Sequence, residues 1–81
     1  MSQLMKLWMR IKNNPKTVTF DEINKILSQA SFTRRQPRSG SSHYTYAKNG
    51  RILTVPKTKP YVTEIYIKQA IEAIGDFFEE E

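Results

Sequence analysis

The chain contains no cysteine and a single histidine, His43. Those two counts exclude a disulfide, a thiolate nucleophile and a zinc site built from cysteine and histidine. Acids are also scarce through most of the length. Residues 1–60 carry twelve Lys or Arg against only Asp21 and Glu22, a net +10. The converging carboxylates of a two-metal nuclease are therefore missing, and no metal or cofactor is expected. Long apolar runs are absent too. Lys6, Arg10 and Lys12 interrupt the apolar N-terminus, and nothing approaches the roughly 20 residues that span a bilayer. No apolar stretch ends in a small-residue cleavage site of the secretory kind. The expectation is a soluble, cytoplasmic protein with no membrane association.

What remains is a basic body with an acidic end. The 81 residues carry a net charge of +5 and a pI near 9.7, while residues 61–81 alone hold Lys68 against six acids, a net −5. A basic surface on so small a protein favours phosphate polymers or other anionic partners. The length suits one domain near the lower limit of what an unaided core supports. We divide it into an extra N-terminal helix (1–14), a core (15–78) and an acidic tail (79–81).

Periodicity assigns the elements. Leu4, Leu7, Trp8 and Ile11 follow helical spacing, and that helix should stop near Asn13-Asn14-Pro15, because the residue before proline resists the α region. It should dock on the domain through this stripe. Thr19-Phe20-Asp21-Glu22 has the form of a capping box, making Asp21 and Glu22 structural caps. The helix it opens presents Phe20, Ile23, Ile26 and Leu27, and ends near Ala30-Ser31 without the glycine common at that position. Phe32–Gln36 reads as a short strand, and Pro37–Ser42 as a loop. His43–Ala47 and Arg51–Val55 flank Asn49-Gly50, a strong hairpin signal. Val62–Phe78 should be a long helix with Ile67, Ile71, Ile74 and Phe78 on its apolar face, beside a second edge of Ile65 and Tyr66. Its last turn is acidic, the wrong charge for a helix C-terminus, and should fray. The predicted class is α+β, order α-α-β-β-β-α, with a three-stranded antiparallel sheet packed on helices.

Chemistry centres on His43, histidine being the one side chain whose unperturbed pKa lies close to neutral pH; it stands beside Arg34, Arg35 and Arg38. A relay between Ser42 and His43 is disfavoured because strand neighbours point to opposite faces. On RNA, the economical reaction is removal of the ribose 2′-OH proton by the imidazole and attack on the adjacent phosphorus, with Arg or Lys stabilising the added charge. Without a second histidine, the leaving oxygen must take its proton from water, a lysine, or a tyrosine such as Tyr44 or Tyr46. A slow enzyme follows. Tyr44 and Tyr46 share a strand face and should pack in the core, as should Trp8. Lys48 and Arg51 flank the hairpin turn and serve its solubility.

The segment Gly40-Ser41-Ser42-His43-Tyr44-Thr45-Tyr46, followed by Leu53-Thr54-Val55-Pro56-Lys57, resembles the HicA family of mRNA interferase toxins. Phe20-Asp21-Glu22-Ile23 and Tyr66-Ile67-Lys68-Gln69-Ala70 fit the same pattern, so the similarity covers about residues 15–75. The resemblance implies a double-stranded-RNA-binding-domain-like fold and metal-independent cleavage of single-stranded mRNA. It implies His43 as the catalytic base and a HicB-type antitoxin as the protein partner. It adds Ser41 and Ser42 to Arg34, Arg35, Arg38, Lys57 and Lys59 as candidate RNA contacts. Three positions depart from the pattern. Thr58 stands where many members have a histidine, an extra serine lies between Gly40 and His43, and Ser31 replaces a glycine before Phe32. The first removes a second proton carrier. Two other readings therefore stand beside the nuclease: a catalytically silent RNA-binding domain of this fold, and a protein-interaction module with a basic surface. Oligomeric state is left open.

Overall fold

The computed structural model describes residues 3–35 and 43–79, the last four of these through their backbone alone. The elements are α1 (Gln3–Asn13), a 3₁₀ turn (Pro15–Thr17), α2 (Phe20–Gln29), β1 (Thr33–Arg35), β2 (His43–Lys48), β3 (Arg51–Pro56) and α3 (Glu64–Glu79). The chain is thus α+β in the expected order, and α2-β1-β2-β3-α3 gives the helix–sheet–helix succession of a double-stranded-RNA-binding-domain-like fold. The expected loop at Pro37–Ser42, with Arg38, Ser41 and Ser42, lies outside the described residues, as do Glu80 and Glu81 of the tail and the expected fraying there. Among the described residues no helix is long and apolar enough to cross a membrane.

Local sequence explains each boundary. α1 stops at Asn13, two residues ahead of Pro15. At the start of α2 the Thr19 amide donates to Glu22 Oε1 at 3.0 Å and the Glu22 amide donates to Thr19 Oγ1 at 3.3 Å, the reciprocal capping box. Arg10 of α1 forms an ion pair with the same Glu22 carboxylate, joining the two helices at the cap. α2 ends in a Schellman arrangement. Phe32 N–H donates to the Leu27 carbonyl (3.0 Å) and Ser31 N–H to that of Ser28 (3.1 Å). Ser31 therefore takes the left-handed conformation (φ 73°) that favours glycine. Asn49 (φ 50°) and Gly50 (φ 83°) form the tight hairpin turn with both central residues at positive φ.

The sheet order is β1-β2-β3, antiparallel throughout. Register pairs Arg34 with Tyr46 and Arg35 with Thr45 on one side of β2, and His43 with Pro56 and Tyr46 with Leu53 on the other. α2 and α3 lie against the face that carries Tyr44, Tyr46, Leu53 and Val55, and α1 packs on those two helices to extend the same core. Trp8 and Ile11 of α1 are 1% and 0% exposed, so this helix supplies core rather than decorating it. Full burial of one such side chain is worth roughly 1.5–3 kcal/mol. α3 turns Ile67, Ala70 and Ile74 inward, with Ile71 half-buried. Ile65 departs from expectation at 55% exposed, because two residues of helix rotate it about 200° away from Ile67.

Candidate functional site

Strand alternation decides which side chains meet. Directly paired residues share a face, and successive residues alternate. Tyr44, Tyr46, Leu53, Val55 and Arg34 face the helices. His43, Thr45, Thr54, Ile52, Thr33 and Arg35 face away. No described helix covers that second surface: His43, Arg35, Thr33 and Thr54 are exposed, and Ile52 is 66% exposed. Because Arg35 pairs with Thr45, it stands diagonally across from His43, two residues along β2. His43 opens β2, placing the imidazole at the rim of the sheet, where β3 ends at Pro56.

Of the three arginines read together in the sequence, the two described ones, Arg34 and Arg35, do not stay together. Arg34 turns to the helix side, donates to Asn24 Oδ1 at 3.3 Å and lies 5.3 Å over the Tyr44 ring. Arg35 alone of the pair shares the His43 face. Arg38, Ser41 and Ser42 belong to the segment outside the described residues. Lys57 follows Pro56 and returns to the helix side, its ammonium 5.7 Å from the Phe20 ring centroid. Phe20 in turn meets Tyr44 at 5.1 Å. Lys59 is exposed in the connector. Lys48 and Arg51, read as solubilising residues, are docked instead. Lys48 Nζ donates to the Ala30 carbonyl at 2.8 Å, neutralising the C-terminal end of α2. Arg51 donates to the Ala73 carbonyl of α3 at 3.3 Å.

Neither tyrosine can serve as the acid partner of His43. Tyr46 is fully buried on the opposite face, its hydroxyl donates to Asn24 Oδ1 at 2.6 Å, and burial pushes its pKa up from 10.0 to about 12. Tyr44 is half-buried on that same helix side. The expectation that both tyrosines pack in the core holds, and the proposal that one of them protonates a leaving group falls with it. Thr58, at the position where the resembled family often has histidine, donates its hydroxyl to the Tyr61 carbonyl at 2.9 Å and braces the connector. Among the described residues no three His, Asp or Glu side chains gather around a metal-sized space.

One feature was not legible in the sequence. The connector after β3 folds back on the start of α2, held by the Val62 amide donating to the Val18 carbonyl at 2.9 Å. Between them lies a cleft of about 510 Å³, walled by Phe20 and Asp21 on one side and Lys57, Lys59 and Pro60 on the other. Phe20 and Asp21 read only as helix-start residues, and nothing in their spacing announces a contact with residues some forty positions later. Compared with protein-family models, with curated proteins and with solved structures, the chain matches none of them.

Proposed function

We propose that this chain is a HicA-like toxin, a metal-independent endoribonuclease that cuts single-stranded mRNA in the cytoplasm with His43 as general base and is neutralised by a HicB-type antitoxin. The observation that carries the reading is the placement of His43: exposed, at the rim of an uncovered sheet face, with Arg35 diagonal to it. In such a site the imidazole takes the 2′-OH proton while Arg35 neutralises the phosphate that gains charge. The same uncovered face, with Ile52 two-thirds exposed on its β3 edge beside the hairpin turn, offers an antitoxin an apolar anchor among polar neighbours, a common element of a protein interface. With both tyrosines withdrawn, the leaving oxygen takes its proton from water or a lysine, and turnover is slow.

Tyr46 locked on Asn24 and Thr58 locked on Tyr61 favour one other reading, a silent RNA-binding domain. Replacing His43 by Ala separates the two. General base catalysis is typically worth on the order of 10² to 10⁴ in rate, so mapped transcript ends after induction should vanish in the variant, and cleavage of a purified RNA should drop by that factor. A loss below tenfold would take His43 out of the mechanism. RNA bound but uncut by the wild type would leave the silent domain.

A further inference from the structure

The cleft between α2 and the connector has the size and chemistry of a nucleotide subsite. Its volume of about 510 Å³ lies inside the range of roughly 300 to 1,000 Å³ that small-molecule pockets occupy. Its walls are apolar, formed by Phe20, the exposed ring of Pro60 and the methylene stems of Lys57 and Lys59. Polar function is confined to a few points: two ammonium groups on the connector side and the Asp21 carboxylate on the helix side. Asp21 is exposed and engages no other side chain among the described residues. The capping of α2 is done by Thr19 and Glu22, so hydrogen bonding of the helix start leaves Asp21 unused. Flat apolar walls suit a base, ammonium groups suit the phosphates that flank it, and a carboxylate suits a base edge rich in N–H donors.

The location agrees. His43 is paired with Pro56, and Lys57 is the next residue. Imidazole and cleft thus flank the same end of the β2–β3 ladder, one on each side. An RNA strand passing around that rim presents one ribose to His43 and a neighbouring base to the cleft.

Resting on the ribonuclease reading above, we infer that the cleft holds one unpaired base of the bound RNA, with Lys57 and Lys59 on its phosphates and Asp21 reading its edge. Guanine is the base that fits. Its Watson–Crick edge offers the carboxylate two parallel donors, the N1–H and the 2-amino group, where adenine, cytosine and uracil offer no such pair. Asp21 is then the residue that sets sequence preference, and the exposed ring of Pro60 the surface on which the base rests, with the edge of Phe20 closing the floor.

The test uses the full chain and uncleavable 2′-O-methyl oligouridines with one central guanosine, adenosine, cytidine or uridine, titrated by fluorescence anisotropy. The wild type should bind the guanosine probe roughly tenfold tighter than the all-uridine one, within the discrimination of a good bidentate base contact. Asp21→Asn should erase that preference while leaving the all-uridine affinity within about twofold. Lys59→Ala should weaken all four probes alike and lower the salt slope by about 0.7, the value for one phosphate of a single strand. Four equal affinities in the wild type, or a guanosine preference that survives Asp21→Asn, would overturn the inference and leave the nuclease reading standing. Binding to none of the probes would overturn both. Because no probe can be cut, a failure of His43 catalysis cannot pass for a failure of the cleft.

Discussion

The two faces of the sheet use their cations differently. On the covered face each one is tied down. Arg34 lies over Tyr44 and donates to Asn24, and Lys48 lies over Phe32 and donates to the Ala30 carbonyl at the end of α2. A cation on an aromatic face is worth about 0.5–1 kcal/mol at exposed sites, and one at a helix C-terminus about 0.3–1 kcal/mol. These side chains spend their charge inside the fold. On the open face Arg35 stands with His43, Thr45 and Thr54 on a surface no described helix covers. Strand parity, and not nearness in sequence, sorts the basic residues into those that hold the fold and those left for a ligand. Adjacent arginines, Arg34 and Arg35, end up in different trades.

That contrast is most strongly tested by pairing the His43→Ala experiment with a change directly across the sheet. Tyr46→Phe removes a buried hydroxyl bonded to Asn24 and should cost about 1 kcal/mol of stability, read from urea unfolding, with RNA cleavage unaltered. Its pH dependence has a definite sign. Burial holds the Tyr46 pKa at about 12 against 10.0 for the free side chain. The stability that depends on a neutral, buried Tyr46 hydroxyl is therefore fully present below pH 10 and is lost as pH climbs from 10 through 12, where the unfolded chain releases the proton first. Wild type should lose its margin over Tyr46→Phe across that window. If Tyr46→Phe slowed cleavage tenfold with stability nearly intact, the two faces would not be separate.

A smaller effect is expected from the arginine pair. Arg35→Ala should lower RNA affinity and reduce the salt slope by about 0.7, with stability within about 0.5 kcal/mol of wild type. Arg34→Ala should do the converse. It loses about 0.5–1 kcal/mol of stability from the Tyr44 contact and leaves the salt slope where it was. Equal salt slopes in the two variants would erase the distinction drawn from parity.

Much of this arrangement could be read from the residues. The capping box at Thr19 and Glu22, the Asn49-Gly50 turn, the Pro15 stop and the α2 stripe are local signals, and local physics settled them. The grouping of Arg34 with Arg35 and His43 failed because it used sequence distance where a strand imposes a period of two. Tyr44 and Tyr46 are unavailable to His43 for the same reason: an odd number of residues along β2 separates each of them from the histidine, so they share a face with each other and not with it. The docking of Lys48 on Ala30 and the closing of the connector over Phe20 depend on contacts between segments about 18 and 40 residues apart, and no window along the chain contains them. Ile65 shares the apolar character of the buried α3 stripe but not its angular sector, because two residues of helix turn it about 200° from Ile67.

The smallest effect concerns Ser31, at the hinge where the covered face begins. It closes the Schellman arrangement of α2 at φ 73°, a conformation that costs a residue with a Cβ roughly 1–2 kcal/mol. Glycine removes that cost but loses about 0.5–1 kcal/mol of its own through the greater freedom of the unfolded chain. The hydroxyl is exposed and accepts or donates no bond among the described residues, so nothing else is sacrificed. Ser31→Gly should therefore gain somewhat under 1 kcal/mol and raise the melting temperature by a few degrees, given about 4–8 °C per kcal/mol in a domain of this size. Lys48 holds the carbonyl of Ala30, one residue earlier, so the gain falls on the covered face alone. Cleavage and RNA affinity should not move. A melting temperature that falls instead would mean that the Ser31 side chain supports the turn, and that the left-handed residue before β1 is held by more than its backbone.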